Sequence, residues 1–208
     1  QRQMCIRDSD TGAELADDLE LIANKFEGEI AACIIEPIAG STGILVPPKG
    51  YLSRLRKICD KHGILLIFDE VITGWGRTGS PFAAQEFNVT PDIMTLAKAT
   101  TNGVVPMGVV ALRDGIYDAV MDSAPEGAIE LFHGYTYSGI PVAVAAALAV
   151  QDIFEKENIF NRVKEISPYF QEALHSLKDL ECVENIRGYG LLGGVDIKKK
   201  DKPGKAGF

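Results

Sequence analysis

Apolar and polar positions divide the chain into alternating blocks. Ile30–Ile35, Ile64–Phe68 and Ile93–Ala97 are short apolar runs, with the length and make-up of strands buried in a parallel sheet. Asp10–Asn24 sets Leu15, Leu19 and Ile22 at helical spacing behind Asp10 or Thr11 as a cap. Tyr51–Lys61 sets Leu52, Leu55, Ile58 and Cys59 along one side, and Gly63 stops that helix. Phe82–Phe87 predicts a short helix, and Met107–Leu112 a strand returning antiparallel. Gly139–Phe154, rich in Ala and Val, predicts a long helix that is apolar nearly all round and therefore buried. Ile159–Leu177 is a charged amphipathic helix with a kink expected at Pro168. It leads to two short strands, Cys182–Ile186 and Leu191–Ile197. Gly74, Gly76 and Gly79 mark a loop that comes close to something else.

Strands alternating with helices predict an α/β fold. The change of character near Glu155 predicts a domain boundary, with 10–154 as part of a large domain and 155–208 as the start of a smaller one. Gln1–Ser9 fit no element and resemble translated adapter sequence, so a non-native leader is expected over 1–9.

Composition narrows the partners. The chain has 208 residues, 46% hydrophobic and 24% charged, which suits a globular protein rather than a disordered one. A net charge of −8 argues against nucleic acid or an anionic membrane as a main partner. Without a basic-then-apolar leader or a membrane-length apolar stretch, a cytoplasmic location is expected. Cys5, Cys33, Cys59 and Cys182 are scattered, which reads as free thiols rather than a disulfide or metal site.

The chemistry collects at strand ends. The run Ile64–Phe68 ends in Asp69-Glu70, and Ile93–Ala97 ends in Lys98. The separation, 98 − 69 = 29 residues, leaves room for one strand–helix–strand crossover. That would set an acid and an amine at one edge of the sheet, where ligands of open parallel sheets bind. The pair suits a pyridinium cofactor held as an imine. An apolar strand ending in Asp-Glu also resembles a Walker B strand, but no G-x-x-x-x-G-K-[ST] precedes it.

Four segments carry a family resemblance: Glu36–Gly43 (EPIAGSTG), Leu66–Gly74 (LIFDEVITG), Leu96-Ala97-Lys98 with Thr101-Asn102-Gly103, and His133–Ser138 (HGYTYS). In this order they resemble the class III aminotransferases, closest to the β-alanine (ω-amino acid):pyruvate branch. The resemblance implies fold type I, aspartate-aminotransferase-like, with a central, mostly parallel sheet and helices on both faces. It implies pyridoxal 5′-phosphate as cofactor and Lys98 as the Schiff-base lysine, also shuttling the substrate proton. Asp69 would keep the pyridine nitrogen protonated, and Val71 would pack on the ring. Thr136 would reach the phosphate of a neighbouring subunit's cofactor, aided by the N-terminus of a helix beginning near Gly139. Glu36 corresponds to a glutamate near the substrate, or merely caps its strand end. No metal is expected.

The implied activity is transfer of an amino group from an ω-amino acid or amine to pyruvate, in a homodimer or tetramer. Amino-group migration or decarboxylation on the same scaffold is the alternative. A non-catalytic binding relative is the third reading, and intact Asp69, Lys98 and Thr136 argue against it. His62, His133 and His175 lack the partners of a general base, and Arg187 reads as structural. The family's phosphate loop, ring-stacking aromatic and distal substrate arginine have no match, so a partial chain is expected, inactive by itself.

Overall fold

The computed structural model describes residues 12–129, 131 and 133–198. The expected leader at 1–9, Cys5, the proposed caps Asp10 and Thr11, and the polar end from Lys199 lie outside the described residues. A four-stranded sheet has the order β1 (Ala32–Ile35), β2 (Leu65–Asp69), β3 (Ile93–Leu96), β4 (Val109–Leu112). The first three strands are parallel and β4 returns antiparallel to β3, as the sequence predicts. Helix α1 (Asp17–Lys25) follows a 3-10 turn, Ala13–Ala16.

Helix α2 (Tyr51–His62) covers one face of the sheet. Its stripe of Leu52, Leu55, Ile58 and Cys59 packs with Leu66 and Phe68 of β2 in one buried cluster. Each large apolar side chain so buried stabilises the fold by about 2 kcal/mol. Gly63 ends α2 in the left-handed conformation, φ 67, and its N–H bonds to the Cys59 carbonyl. Asp92, at the start of β3, is buried and ties three elements together. Its carboxylate accepts the Leu66 N–H at 2.7 Å and pairs with Arg56 at 2.6 Å and Arg113 at 3.1 Å. Burial pulls its pKa upward, but the Leu66 N–H and the two guanidinium groups outweigh burial and hold the carboxyl below its ordinary value.

Among the described residues the sheet is covered on the α2 face and left partly open on the other, as expected of a partial chain. Ile34 is 62% and Val110 63% exposed, and no described residue packs over them. Helix α3 (Ala83–Glu86) matches the short helix expected there. Helix α4 (Asp114–Asp122) lies in a stretch the apolar pattern leaves unassigned, and it buries none of its residues.

Helix α5 (Pro141–Lys156), apolar nearly all round, is covered on one face only. It buries only the stripe Ala143, Ala147 and Val150, while Val142, Leu148 and Ile153 are exposed. The i, i+4, i+7 stripe is one helix face, and it is the only face that meets other described residues. Helix α6 (Ile159–His175) continues through Pro168, and the Ser167 hydroxyl donates to the Val163 carbonyl one turn back. Strands β5 (Val183–Tyr189) and β6 (Leu192–Ile197) form a separate antiparallel hairpin. Its Arg187 pairs with Asp196 and donates from Nε to the Gly43 carbonyl at 2.7 Å, the structural role expected of it. Tyr189 donates to Glu86 at the end of α3 at 2.6 Å. Among the described residues no helix is long and apolar enough to cross a membrane.

Candidate active site

Three successive parallel strands end at one edge of the sheet, and each hands over to a residue singled out from sequence. In register, Ile35 pairs with Phe68 and Asp69 with Thr95. Glu36 therefore follows β1, Asp69 closes β2, and Lys98 lies three residues past the β2–β3 pairing, all at the carboxyl edge. The acid and the amine sit on neighbouring strands at the same end, as their spacing implies.

Asp69 is half-buried and lies on the sheet face opposite to Leu66, Phe68 and α2. Its Oδ1 accepts the Val71 N–H at 3.0 Å. Among the described residues no donor meets Oδ2. The next residue, Glu70, turns inward and is fully buried. It accepts the N–H groups of Ala83 at 2.6 Å and Ala84 at 2.8 Å and the Thr73 hydroxyl at 3.1 Å, so it caps the start of α3. Burial pushes the Glu70 carboxyl above its ordinary value, against the opposing pull of these donors.

Lys98 opens a 3-10 turn, Lys98–Thr100, with φ 45. A left-handed lysine costs about 1–2 kcal/mol, and such strain collects at functional sites. The turn breaks strand alternation and so re-aims the side chain, which is exposed. The Lys98 carbonyl accepts the N–H groups of Thr101 and Gly103, both at 3.3 Å. No described carboxylate pairs with the amine.

Glu36 accepts the Gly40 N–H at 2.8 Å and so closes its own turn. A Cβ on Gly40 would lie 2.4 Å from Ile72 Cδ1, so this turn packs directly on the segment after Asp69. Thr136 is exposed, but it is not in the first turn of a helix. The helix expected near Gly139 begins at Pro141, with Ile140 as its cap, because proline favours the first helical position. Thr136 stands in the loop that precedes α5. His62 lies on α2 and His175 on α6, while His133 stacks on Tyr135 at 3.6 Å. Among the described residues no His/Cys/Asp/Glu group could hold a metal.

The glycine loop does approach closely. A Cβ on Gly74 would lie 2.7 Å from the Glu70 carbonyl oxygen, and one on Gly76 2.9 Å from Phe160. Trp75 between them packs edge-on against Phe82 and near Phe154 of α5. Its indole N–H donates to Thr100, two residues past Lys98. Sequence reasoning passed over Trp75, Thr100 and Glu70. The single tryptophan of the chain, set between two glycines, is the signal that marked the first.

Residues 3–206 match the family model for aminotransferase class-III. This chain belongs to the class III aminotransferases. It is 54% identical over 192 residues to an omega-aminotransferase of Caulobacter vibrioides, covering 92% of this chain and 44% of that one. It is 52% identical to a beta-alanine–pyruvate aminotransferase of Pseudomonas aeruginosa, covering 91% and 43%. Its backbone superposes with a TM-score of 0.84 on an amine transaminase from an uncultivated Pseudomonas species crystallised in the PLP-bound form, at 39% identity, covering 91% and 43%. The chain thus spans less than half the length of these relatives, and its mixed sheet with flanking helices is a portion of the fold type I architecture.

Proposed function

We propose that the protein carrying this sequence is a pyridoxal 5′-phosphate-dependent transaminase that moves an amino group from an ω-amino acid or amine, β-alanine among them, to pyruvate. The observation that carries this is the placement of Asp69 at the end of β2, Lys98 just past the end of the adjacent parallel β3 and Glu36 just past the end of β1, all at one carboxyl edge. The donor set fits the cofactor. Asp69 keeps one carboxylate oxygen held by its own loop and the other open, as a partner for a protonated ring nitrogen needs. When bound, the cofactor supplies a carbonyl for the lysine and a ring that accepts electrons from the substrate carbon.

The chain's own residues divide the remaining work. Lys98 would hold the cofactor covalently, and its amine, when free, would serve as the base and acid that moves the substrate proton. Asp69 holds the ring proton in place. Val71 packs on the ring, and Glu36 borders the substrate. Exposed Thr136 serves a phosphate bound in a second subunit, in a homodimer or tetramer. Residues 10–154 belong to the large domain, and the α6–β5–β6 unit begins the small one.

The test uses the full-length protein. Lys98→Ala should abolish both the visible absorbance of lysine-bound cofactor and the half-reaction with β-alanine. A Lys98→Ala protein that transaminates at the wild-type rate refutes the proposal.

A further inference from the structure

Two non-glycine residues with left-handed backbones, Trp75 at φ 64 and Lys98 at φ 45, are joined through one hydroxyl. The indole Nε1 of Trp75 lies 3.0 Å from Thr100 Oγ1, and the same oxygen lies 3.0 Å from the Ala97 carbonyl. An indole N–H only donates. Thr100 Oγ1 therefore accepts from Trp75, and its single hydrogen goes to Ala97. Thr100 is 3% exposed, so water has little access to replace either bond.

The Ala97 carbonyl belongs to the peptide plane whose nitrogen is that of Lys98. Fixing that carbonyl fixes the plane against which the φ of Lys98 is set. The Thr100 backbone N–H holds the same carbonyl, at 3.0 Å. The other end of the chain of bonds is equally constrained. Trp75 donates its backbone N–H to Pro81 at 2.7 Å, and its ring is braced by Phe82 and Phe154. Gly74 presses the loop against the Glu70 carbonyl and Leu96, at the ends of β2 and β3.

We infer that Trp75 is a positioning residue for Lys98, acting through the Thr100 hydroxyl as a latch that holds the lysine backbone left-handed at the carboxyl edge of the sheet. This rests on the reading of Lys98 as the covalent anchor of the cofactor. Phenylalanine at 75 keeps the ring packing and removes the latch, and valine at 100 keeps the shape and removes the hydroxyl.

The experiment follows cofactor capture, without reading turnover. Full-length apoprotein is mixed with pyridoxal 5′-phosphate, reduced with borohydride at timed intervals, and digested. The labelled peptide containing Lys98 is quantified by mass spectrometry. Trp75→Phe removes one buried hydrogen bond and should slow Lys98 labelling about three- to tenfold, while Thr100→Val removes that bond and the one to Ala97 and should slow it at least as much. The double variant should be no slower than Thr100→Val, and Thr100→Ser should stay within about twofold of wild type. Wild-type labelling in Thr100→Val, or a Thr100→Ser protein as slow as Thr100→Val, overturns the latch. Wild-type labelling in Trp75→Phe likewise overturns it; if Trp75→Phe does not fold, benzothienylalanine at position 75, which keeps the ring and lacks the N–H, takes its place. Label on a lysine other than Lys98 in the unsubstituted protein instead overturns the anchor assignment, and the latch with it.

Discussion

Asp69 and Glu70 are adjacent in the chain and serve opposite faces of the sheet end. Asp69 is half-buried on the face away from α2, with one oxygen held by the Val71 N–H. Glu70 is fully buried and receives three donors from Thr73, Ala83 and Ala84. An acidic pair that looks uniform in sequence is one candidate chemical group and one structural cap, and substitutions separate them.

Asp69→Asn in the full-length protein should leave folding and cofactor binding near wild type and lower transamination by at least about a hundredfold. A carboxylate ~4 Å from a ring cation at an effective dielectric near 20 supplies about 4 kcal/mol, and the amide loses it. Steady-state rates and cofactor absorbance, measured side by side, check this. A rate within about twofold of wild type would remove Asp69 from the site.

Glu70→Gln should leave turnover per folded molecule unchanged and destabilise the fold by about 1–3 kcal/mol, because the amide nitrogen then faces the Ala83 donor. The pH dependence has a definite sign. The folded pKa of Glu70 lies above its ordinary 4.5. Its contribution is therefore full below that value and is lost as pH rises through the folded value. The stability advantage of wild type over Glu70→Gln should shrink from acid towards neutral pH in urea unfolding.

Asp92 behaves in the reverse sense. Its folded pKa lies below its ordinary 3.8, so its contribution is present above that value and lost as pH falls through the folded one. Asp92→Asn should destabilise by about 1–3 kcal/mol near neutrality, since Arg56 loses its buried partner and keeps only the exposed Asp60. It should also flatten the acid limb of the stability profile. An Asp92→Asn protein with the acid limb of wild type would contradict this.

Gly190 and Gly63 both have positive φ, +58 and +67, but their surroundings differ. A Cβ on Gly190 would lie 2.4 Å from the Arg77 carbonyl oxygen, whereas nothing lies within 4 Å of one on Gly63. Gly63→Ala should cost about 1 kcal/mol, backbone strain alone. Gly190→Ala should cost about 3 kcal/mol, because the backbone at Arg77 must move. Equal shifts in unfolding midpoint would show that the hairpin turn yields freely.

The strands at the site were legible because each of their features is local. The apolar runs before Glu36, Asp69 and Lys98, the glycines of the 74–79 loop and the stop at Gly63 depend on neighbours in sequence. The extent of burial was not legible. Ile34, Val110 and the outer side of α5 carry the apolar residues of a covered surface, while no described residue covers them. The Trp75–Thr100 contact was hidden for a different reason. It depends on two left-handed residues, Trp75 and Lys98, whose side chains disfavour that conformation, so local preference predicts neither. The apolar pattern starts α5 at Gly139, whereas the helix begins at Pro141, a residue that favours the first helical position.

The bond from Arg187 to the Gly43 carbonyl joins residues 144 positions apart. Chain synthesis at ~5–20 residues per second separates their emergence from the ribosome by roughly 7 to 30 s. The 40–43 turn beside Glu36 therefore waits, without its clasp, long after β1 has been made. The β5–β6 hairpin closes over this corner only once nearly all of the present sequence has been synthesised.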